Sequence, residues 1–476
     1  MVHGHRCYLT ENLPGVIWGK TTDERYERTM ERQKYIERQG YTVTVKWECE
    51  FKNEIETNKE LSDFLNRFYR PLDHKLYLDK DTIIHAVKND LMFGAVELDL
   101  HVPDYLKEKF HEFSPIFING DVSFDMIGQH MQEYVNEFKL SKKPSRLLLG
   151  VMKAKKIFVA TPLLKWYLEH GLEVTEIYQT VEFDINSTPF KGFVDKVSNA
   201  RREGDKDPEK AILATTMKLL GNSAYGSTIM RKESHLDVLF SNDPVRISKL
   251  INNKNFVNMN ELEDDYCEIT MKKKKIVMNT PISVGFYILN YGKLRMLQFL
   301  YNFVDKYIDR SDYELVQCDT DSFYMALSDE NIYNLVKPEL RDEFYKDVHN
   351  WLPRTDTIEN AMFDKRVPGL FKQEMYGHCI VALNSKMYSI HNVDKDESKF
   401  SCKGVSKKNF SHPTEMYKSV LQTKETNSGS NTGFRLIKSS IMTYIQRRAS
   451  FTYYYIKRLL LPDGIHTTCL DIEPTP

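Results

Sequence analysis

Asp319 and Asp321 stand two residues apart in the run Cys318-Asp319-Thr320-Asp321-Ser322, with Leu315-Val316 before it and Phe323-Tyr324-Met325 after it. Side chains at i and i+2 of a strand point to one face, and carboxylates that close repel unless a cation neutralises them. Hard oxygen ligands suit Mg²⁺, which takes one or two protein carboxylates and completes its shell with water and phosphate oxygens. The pair is therefore a candidate metal site. A solvated turn with Asp as turn former explains a solitary D-x-D as well, so the weight falls on what accompanies it.

About a hundred residues upstream lies Lys218-Leu219-Leu220-Gly221-Asn222-Ser223-Ala224-Tyr225-Gly226. Downstream lie Lys386-Met387-Tyr388 and then Lys403-Gly404-Val405. Three such segments in this order resemble family B DNA polymerases, in which K-x-x-x-N-S-x-Y-G lies on a fingers helix, D-T-D-S on a palm hairpin and K-x-Y at the primer-template junction. The resemblance runs over roughly residues 140–470 and is strongest to the protein-primed branch found in viruses and virus-like transposons.

The resemblance implies an α+β fold: a right-hand palm on an antiparallel sheet, with helical fingers and thumb. It implies DNA-directed DNA polymerase activity with Mg²⁺, and as partners primer-template DNA, deoxynucleoside triphosphates and a terminal protein primer. Phosphoryl transfer of this kind needs two divalent ions about 3.5–4 Å apart, one at the primer 3′-hydroxyl and one on the triphosphate. By this likeness Asp319 and Asp321 are metal ligands and Lys218 meets the triphosphate as a point charge. Arg202, with Arg201 as its alternative, adds a phosphate contact; Asn222 and Tyr225 line the nucleotide pocket; Lys386, Tyr388 and Lys403 touch DNA. The family's D-x-x-S-L-Y-P motif, which supplies the other metal carboxylate, is not found. Asp99 is the one candidate replacement, in the segment Phe93-Gly94-Ala95-Val96-Glu97-Leu98-Asp99-Leu100-His101-Val102-Pro103.

The elements that must position these residues are partly readable. Proline ends the Asp99 strand. Phe158 to Gly171 reads as a helix, with Thr161 as N-cap, Pro162 at the first helical position and Gly171 past the end. Glu173 to Phe183 alternates as a strand. From Leu294 to Ile308 apolar residues recur at 294, 297, 300, 304 and 308, a helical stripe that faces the core. Val367-Pro368-Gly369 turns into the K-x-Y region, Thr426 to Gly433 reads as a loop, and Phe434 to Leu461 reads as a mostly helical, basic and aromatic thumb.

Residues 1–60 stand apart, with a helix between Asp23 and Gln39 and a strand from Tyr41 to Glu48. His3-Gly4-His5-Arg6-Cys7, Tyr26-x-x-Thr29-x-x-x-Gln33 and Trp47-Glu48-Cys49-Glu50 resemble the tail of a very-short-patch-repair-like endonuclease, a small α/β fragment. The expected division is 1–60 endonuclease-like, 61–200 connecting and partial palm, 201–285 fingers and return to palm, 286–410 palm, and 411–476 thumb-like. With no room for an exonuclease domain, the chain reads as the C-terminal part of a polymerase joined to a truncated nuclease-like piece.

Sixty-six Lys and Arg against 67 Asp and Glu give a net charge of −1, so any nucleic-acid affinity must come from local clusters: Lys272 to Lys275, Lys403 with Lys407 and Lys408, Arg447-Arg448 and Lys457-Arg458. Seven cysteines without C-x-x-C spacing suggest neither a disulfide framework nor a zinc site. No apolar run is long enough to span a membrane, and the expectation is an intracellular protein, nuclear or cytoplasmic. Two other functions compete. One is a catalytically inactive polymerase-derived protein that still binds nucleic acid; the other is a D-x-D glycosyltransferase, which has no need of the Lys218 segment or the K-x-Y.

Overall fold

In the computed structural model the described residues are 79–183, 188, 190–263, 266–437 and 440–472, with scattered positions from 16 to 59. The chain divides into two compact units, Met1–Asp79 and Lys80–Pro476. In the first, Val16–Ile17 and Lys20–Thr21 pair antiparallel, and Glu27, Met30, Glu31, Gln33, Lys34, Glu37 and Arg38 are helical, inside the helix expected there. The expected strand at 41–48, and most residues of the nuclease-like resemblance, lie outside the described residues.

The second unit is an α+β structure in which every described strand pair is antiparallel. It opens with α1 (Lys80–Lys88), β1 (Gly94–His101), β2 (Ile116–Val122), α2 (Gly128–Glu137), β3 (Ser145–Val151), β4 (Lys153–Ala160), α3 (Thr161–Glu169) and β5 (Glu173–Glu182). β1 lies between β4 and β5, while β2 and β3 pair with each other. The centre of β1 is apolar because it is covered: Ala95, Val96, Leu98 and Leu100 are buried. Gly94 is required where β5 passes, since a Cβ there would lie 1.9 Å from the Val181 carbonyl oxygen.

The helix expected from Phe158 is shorter. Phe158 to Ala160 belong to β4, the helix begins at Thr161, and Ala160 is its N-cap without a side-chain bond. The Thr161 hydroxyl instead accepts the Gly94 N–H at 3.1 Å, so a tertiary contact takes the oxygen that a local cap would have used. Gly171, at φ +84, follows the helix as expected.

Next come α4 (Lys191–Lys206) and α5 (Ala211–Thr228), a helical pair, then β6 (Leu236–Ser241), α6 (Pro244–Ile251), β7 (Phe256–Glu263) and β8 (Tyr266–Lys272), a three-stranded sheet in the order β6-β8-β7. α7 (Ile282–Gln298) runs on through a π-helical turn, Phe299–Val304. The stripe Leu294, Leu297, Leu300, Val304 and Ile308 is buried throughout. Gly285 seats the end of α5 on the start of α7, because a Cβ there would stand 2.2 Å from Ile229 Cγ2.

The rest comprises the hairpin β9 (Tyr313–Asp319) and β10 (Ser322–Leu327), helices α8 (Arg341–Asp347) and α9 (Ile358–Asp364), and the meander β11 (Cys379–Asn384), β12 (Met387–Asn392), β13 (Glu397–Ser401). α10 (Pro413–Thr423) and the long hairpin β14 (Ser428–Ile437) and β15 (Ser440–Ala449) follow. That hairpin corrects two expectations: the loop at 426–433 is strand from Ser428 onward, and the segment from Phe434 to Leu461, expected to be mostly helical, has no helix among its described residues. Thr432 faces Ile445 and Phe434 faces Thr443. Such β-branched and aromatic cross-strand pairs stabilise a ladder and gain little from a helix.

Candidate functional site

The β9–β10 hairpin carries Asp319 and Asp321 at its tip. Val316 is an extra residue in β9, because Leu315 pairs with Met325 and Gln317 with Tyr324. This bulge lets Leu315 and Cys318, three apart, both turn to the core with Phe323 and Met325. Burial, with Asp319 and Asp321 nearby, pushes the Cys318 thiol up to about 12, so it is inert. Below the hairpin, Phe323 meets Phe113 at 5.3 Å and Phe299 at 5.9 Å, and Phe299 stacks on Phe371 at 3.9 Å.

At the tip, the Asp321 N–H donates to the Asp319 carbonyl at 2.6 Å around Thr320, which sits at φ +56. A β-branched residue rarely adopts that conformation. The two carboxylates thus straddle a turn instead of sharing one strand face. Asp319 Oδ1 accepts from the Thr320 hydroxyl at 3.2 Å and pairs with Lys386 Nζ, also at 3.2 Å. Asp321 is exposed. Gln317, which local reading overlooked because it lies in an apolar run, buries both side-chain amide atoms without a partner among the described residues.

Lys386 stands at a second hairpin tip, between β11 and β12, also in the left-handed region at φ +61. Tyr388 follows it, buried, and accepts a hydrogen bond from the Tyr324 hydroxyl at 2.8 Å with the rings 4.5 Å apart. Burial pushes the Tyr388 hydroxyl pKa up. The D-T-D and K-x-Y segments, read separately in the sequence, therefore form one surface. Strained turns that converge this way are held by surrounding structure and cluster at functional sites.

Lys218, Asn222 and Tyr225 lie on α5, the first two exposed and the third half-buried, and burial raises the Tyr225 pKa. Arg202, on α4, is engaged in packing: its guanidinium lies 4.0 Å from the Phe363 ring centroid and donates to the Phe363 carbonyl at 3.3 Å and to Asn199 Oδ1 at 2.8 Å. Arg366 takes Asp205 bidentately at 2.6 and 2.5 Å, fastening α4 to α9. Among the described residues Arg201 has no ion pair as close, and burial and then Arg366 lower its pKa while Asp205 opposes. Of the two arginines, Arg201 is the less committed to packing.

Asp99 lies in β1, in a different sheet from Asp319. Its Oδ1 accepts the Lys156 N–H at 2.8 Å and its Oδ2 the Tyr178 hydroxyl at 3.1 Å. Lys156 is at φ +51 beside an irregularity in the β1–β4 register, so the carboxylate holds a bulge in place. Asp99→Ala is expected to destabilise the unit by about 0.5–1.5 kcal/mol, measured by denaturant titration, because it removes the hydrogen bonds that fix the bulge. No loss would show that the bulge holds itself.

Among the described residues no group of three His, Cys, Asp or Glu side chains is placed to hold one metal ion. Asp99 is not grouped with Asp319 and Asp321 there. No described helix is long and apolar enough to cross a membrane.

Residues 83–316 match the family model for DNA polymerase type B, organellar and viral. The match supports the polymerase family for this chain. It takes in Asp99, Arg202, Lys218, Asn222 and Tyr225 and stops three residues short of Asp319, so the Asp319 hairpin and the K-x-Y stand beyond it. No curated protein and no solved structure matches the chain.

Proposed function

We propose that this chain is a type B DNA polymerase of the protein-primed kind that grips primer-template DNA and a deoxynucleoside triphosphate, and that its binding outlasts its catalysis. The observation that carries this reading is the meeting of Asp319 with Lys386 and of Tyr324 with Tyr388. A carboxylate-bearing tip and a lysine-tyrosine tip on one surface suit a primer terminus; a sugar transferase needs no such second tip.

Asp319, through the oxygen that Lys386 and Thr320 leave free, and Asp321, exposed in the turn, would hold Mg²⁺. When bound, that ion supplies charge neutralisation at the primer hydroxyl and triphosphate. Two carboxylates fit one ion with water and phosphate oxygens, and a second ion asks for a carboxylate from another strand. Lys218 and Arg201 or Arg202 would orient the triphosphate, with Asn222 and Tyr225 beside sugar and base. The pairing of Asp319 with Lys386 favours the binding-only variant of this reading, since a carboxylate committed to an ammonium holds a metal less well.

The test is binding of a fluorescent primer-template duplex at several salt concentrations. Neutralising six or so phosphates should cost about a thousandfold in affinity between 50 and 200 mM salt despite the near-zero net charge. A flat log–log plot, or no binding, would sink the reading.

A further inference from the structure

An open cavity of about 600 Å³ lies between α7, the turn after α8, and α9 with the loop that follows it. Asp319, Asp321, Lys218, Asn222, Tyr225 and Lys386 have no part in its lining. Arg295 and Arg354 do. The Arg295 guanidinium lies over the Trp351 ring, 4.0 Å from its centroid, and donates from Nε to the Gly369 carbonyl at 2.9 Å and from Nη2 to the Asn350 carbonyl. Arg354 grips Asp364 through Nε and Nη2, both at 2.8 Å. Each guanidinium is thus fixed by two of its nitrogens and keeps Nη1 without a partner among the described residues. His349, exposed, adds an imidazole to the same lining.

The charges here do not cancel. Asp364 is spent on Arg354, whereas Arg295 meets carbonyls and has no ion pair among the described residues. Burial lowers the Arg295 pKa and Asp347 opposes this, but the Asp347 oxygens already accept from Tyr307 at 3.2 Å, Trp351 at 3.0 Å and Asn350 at 3.0 Å. A guanidinium partly withdrawn from water without a counter-ion favours an arriving anion. Apolar groups share the lining: Val367, Pro368, Leu370 and the ring of Phe363, which is 50 % exposed although the Arg202 guanidinium lies over it.

The volume falls within the range of small-molecule sites, about 300–1,000 Å³. Two guanidinium groups less one carboxylate leave +1, or +2 with His349 protonated. A phosphate monoester, at about −1.5 to −2 near neutral pH, matches that charge, and a triphosphate overshoots it. We propose that this cavity binds a nucleoside monophosphate, its phosphate on the free Nη1 groups of Arg295 and Arg354 and on His349, its base against Phe363. Guanidinium forks suit phosphate oxygens, and any base offers a face to an aromatic ring. Phe363 carries Arg202, and Arg366 in the same segment takes Asp205, so the ligand bears on the join between α9 and α4. The proposal does not depend on the polymerase reading.

Isothermal titration calorimetry of the full chain in metal-free buffer at fixed ionic strength, with adenosine 5′-monophosphate (AMP) as the probe, tests it. AMP should bind one site with a dissociation constant on the order of 10⁻⁵ to 10⁻⁴ M. Adenosine, without the phosphate, and inorganic phosphate, without the base, should each bind about tenfold or more weaker. Arg295→Lys keeps the charge but loses the fork, and should weaken AMP about tenfold. His349→Ala should weaken it about threefold, and because His349 is exposed this variant keeps the test decisive if Arg295→Lys misfolds. Phe363→Leu should weaken AMP and leave inorganic phosphate unchanged, while Lys218→Ala should leave AMP binding as it is. Absence of AMP binding by the wild type, or binding insensitive to both Arg295→Lys and His349→Ala, overturns the proposal. So does loss of AMP binding in Lys218→Ala, which would put the nucleotide at the triphosphate site. Inorganic phosphate binding as tightly as AMP would reduce the cavity to a simple anion site and overturn it too. All these outcomes leave the primer-template test above untouched.

Discussion

Primer extension by this chain with Mg²⁺ is expected to run on the order of a thousandfold below the roughly 1–10³ s⁻¹ typical of enzymes, and Asp319→Asn is expected to remove what remains. The reason is electrostatic. Two divalent ions bring about four positive charges into one site, and Asp319 with Asp321 neutralises only part of that. Losing one fixed group that stabilises the transition state commonly costs about 10²–10³ in rate. Asp99 is spent on Lys156 and Tyr178 in another sheet. Robust extension that survives Asp319→Asn would place the chemistry elsewhere. Robust extension abolished by both Asp319→Asn and Asp99→Asn would show that Asp99 completes the metal shell after all.

Phe299→Ala is expected to cost about 3–5 kcal/mol of stability, the largest single-residue effect in the second unit. Phe299 is 6 % exposed, stacks on Phe371, and touches Phe323 under the β9–β10 hairpin. It also opens the π-helical turn. The shift in denaturant midpoint at unchanged slope measures it. A loss below about 1 kcal/mol would mean that the aromatic layer repacks and that the hairpin does not depend on it.

What could be read from sequence was local. The apolar stripe of the 294–308 helix announced its own burial, and β1 and β5 fell where alternation and Pro103 placed them. The Asp319 tip was legible because an acid-Thr-acid run between apolar segments has few other uses. The failures are tertiary in origin. Thr161 looked like a cap because nothing local shows that Gly94 claims its hydroxyl. The segment after Phe434 looked helical because basic and aromatic content carries no period, and its ladder becomes visible only when Thr432 meets Ile445. The Lys386–Asp319 contact joins residues 67 positions apart. Asp99 had the right residue type on the right kind of element, and only its hydrogen bonds show it employed on a bulge.

The extra residue at Val316 shapes β9 without choosing which of its side chains face in. With the bulge in place, Cys318 points inward and Asp319 outward. Removing Val316 would leave Leu315 and Cys318 two apart, still opposite Met325 and Phe323 on the inward face, and Asp319 would stay opposite Ser322 at the tip. What the strand would lose is the local bend and extra twist that a bulge imparts. Natural variants should therefore lack this residue only where the aim of the tip, and not the facing of its side chains, is free to change.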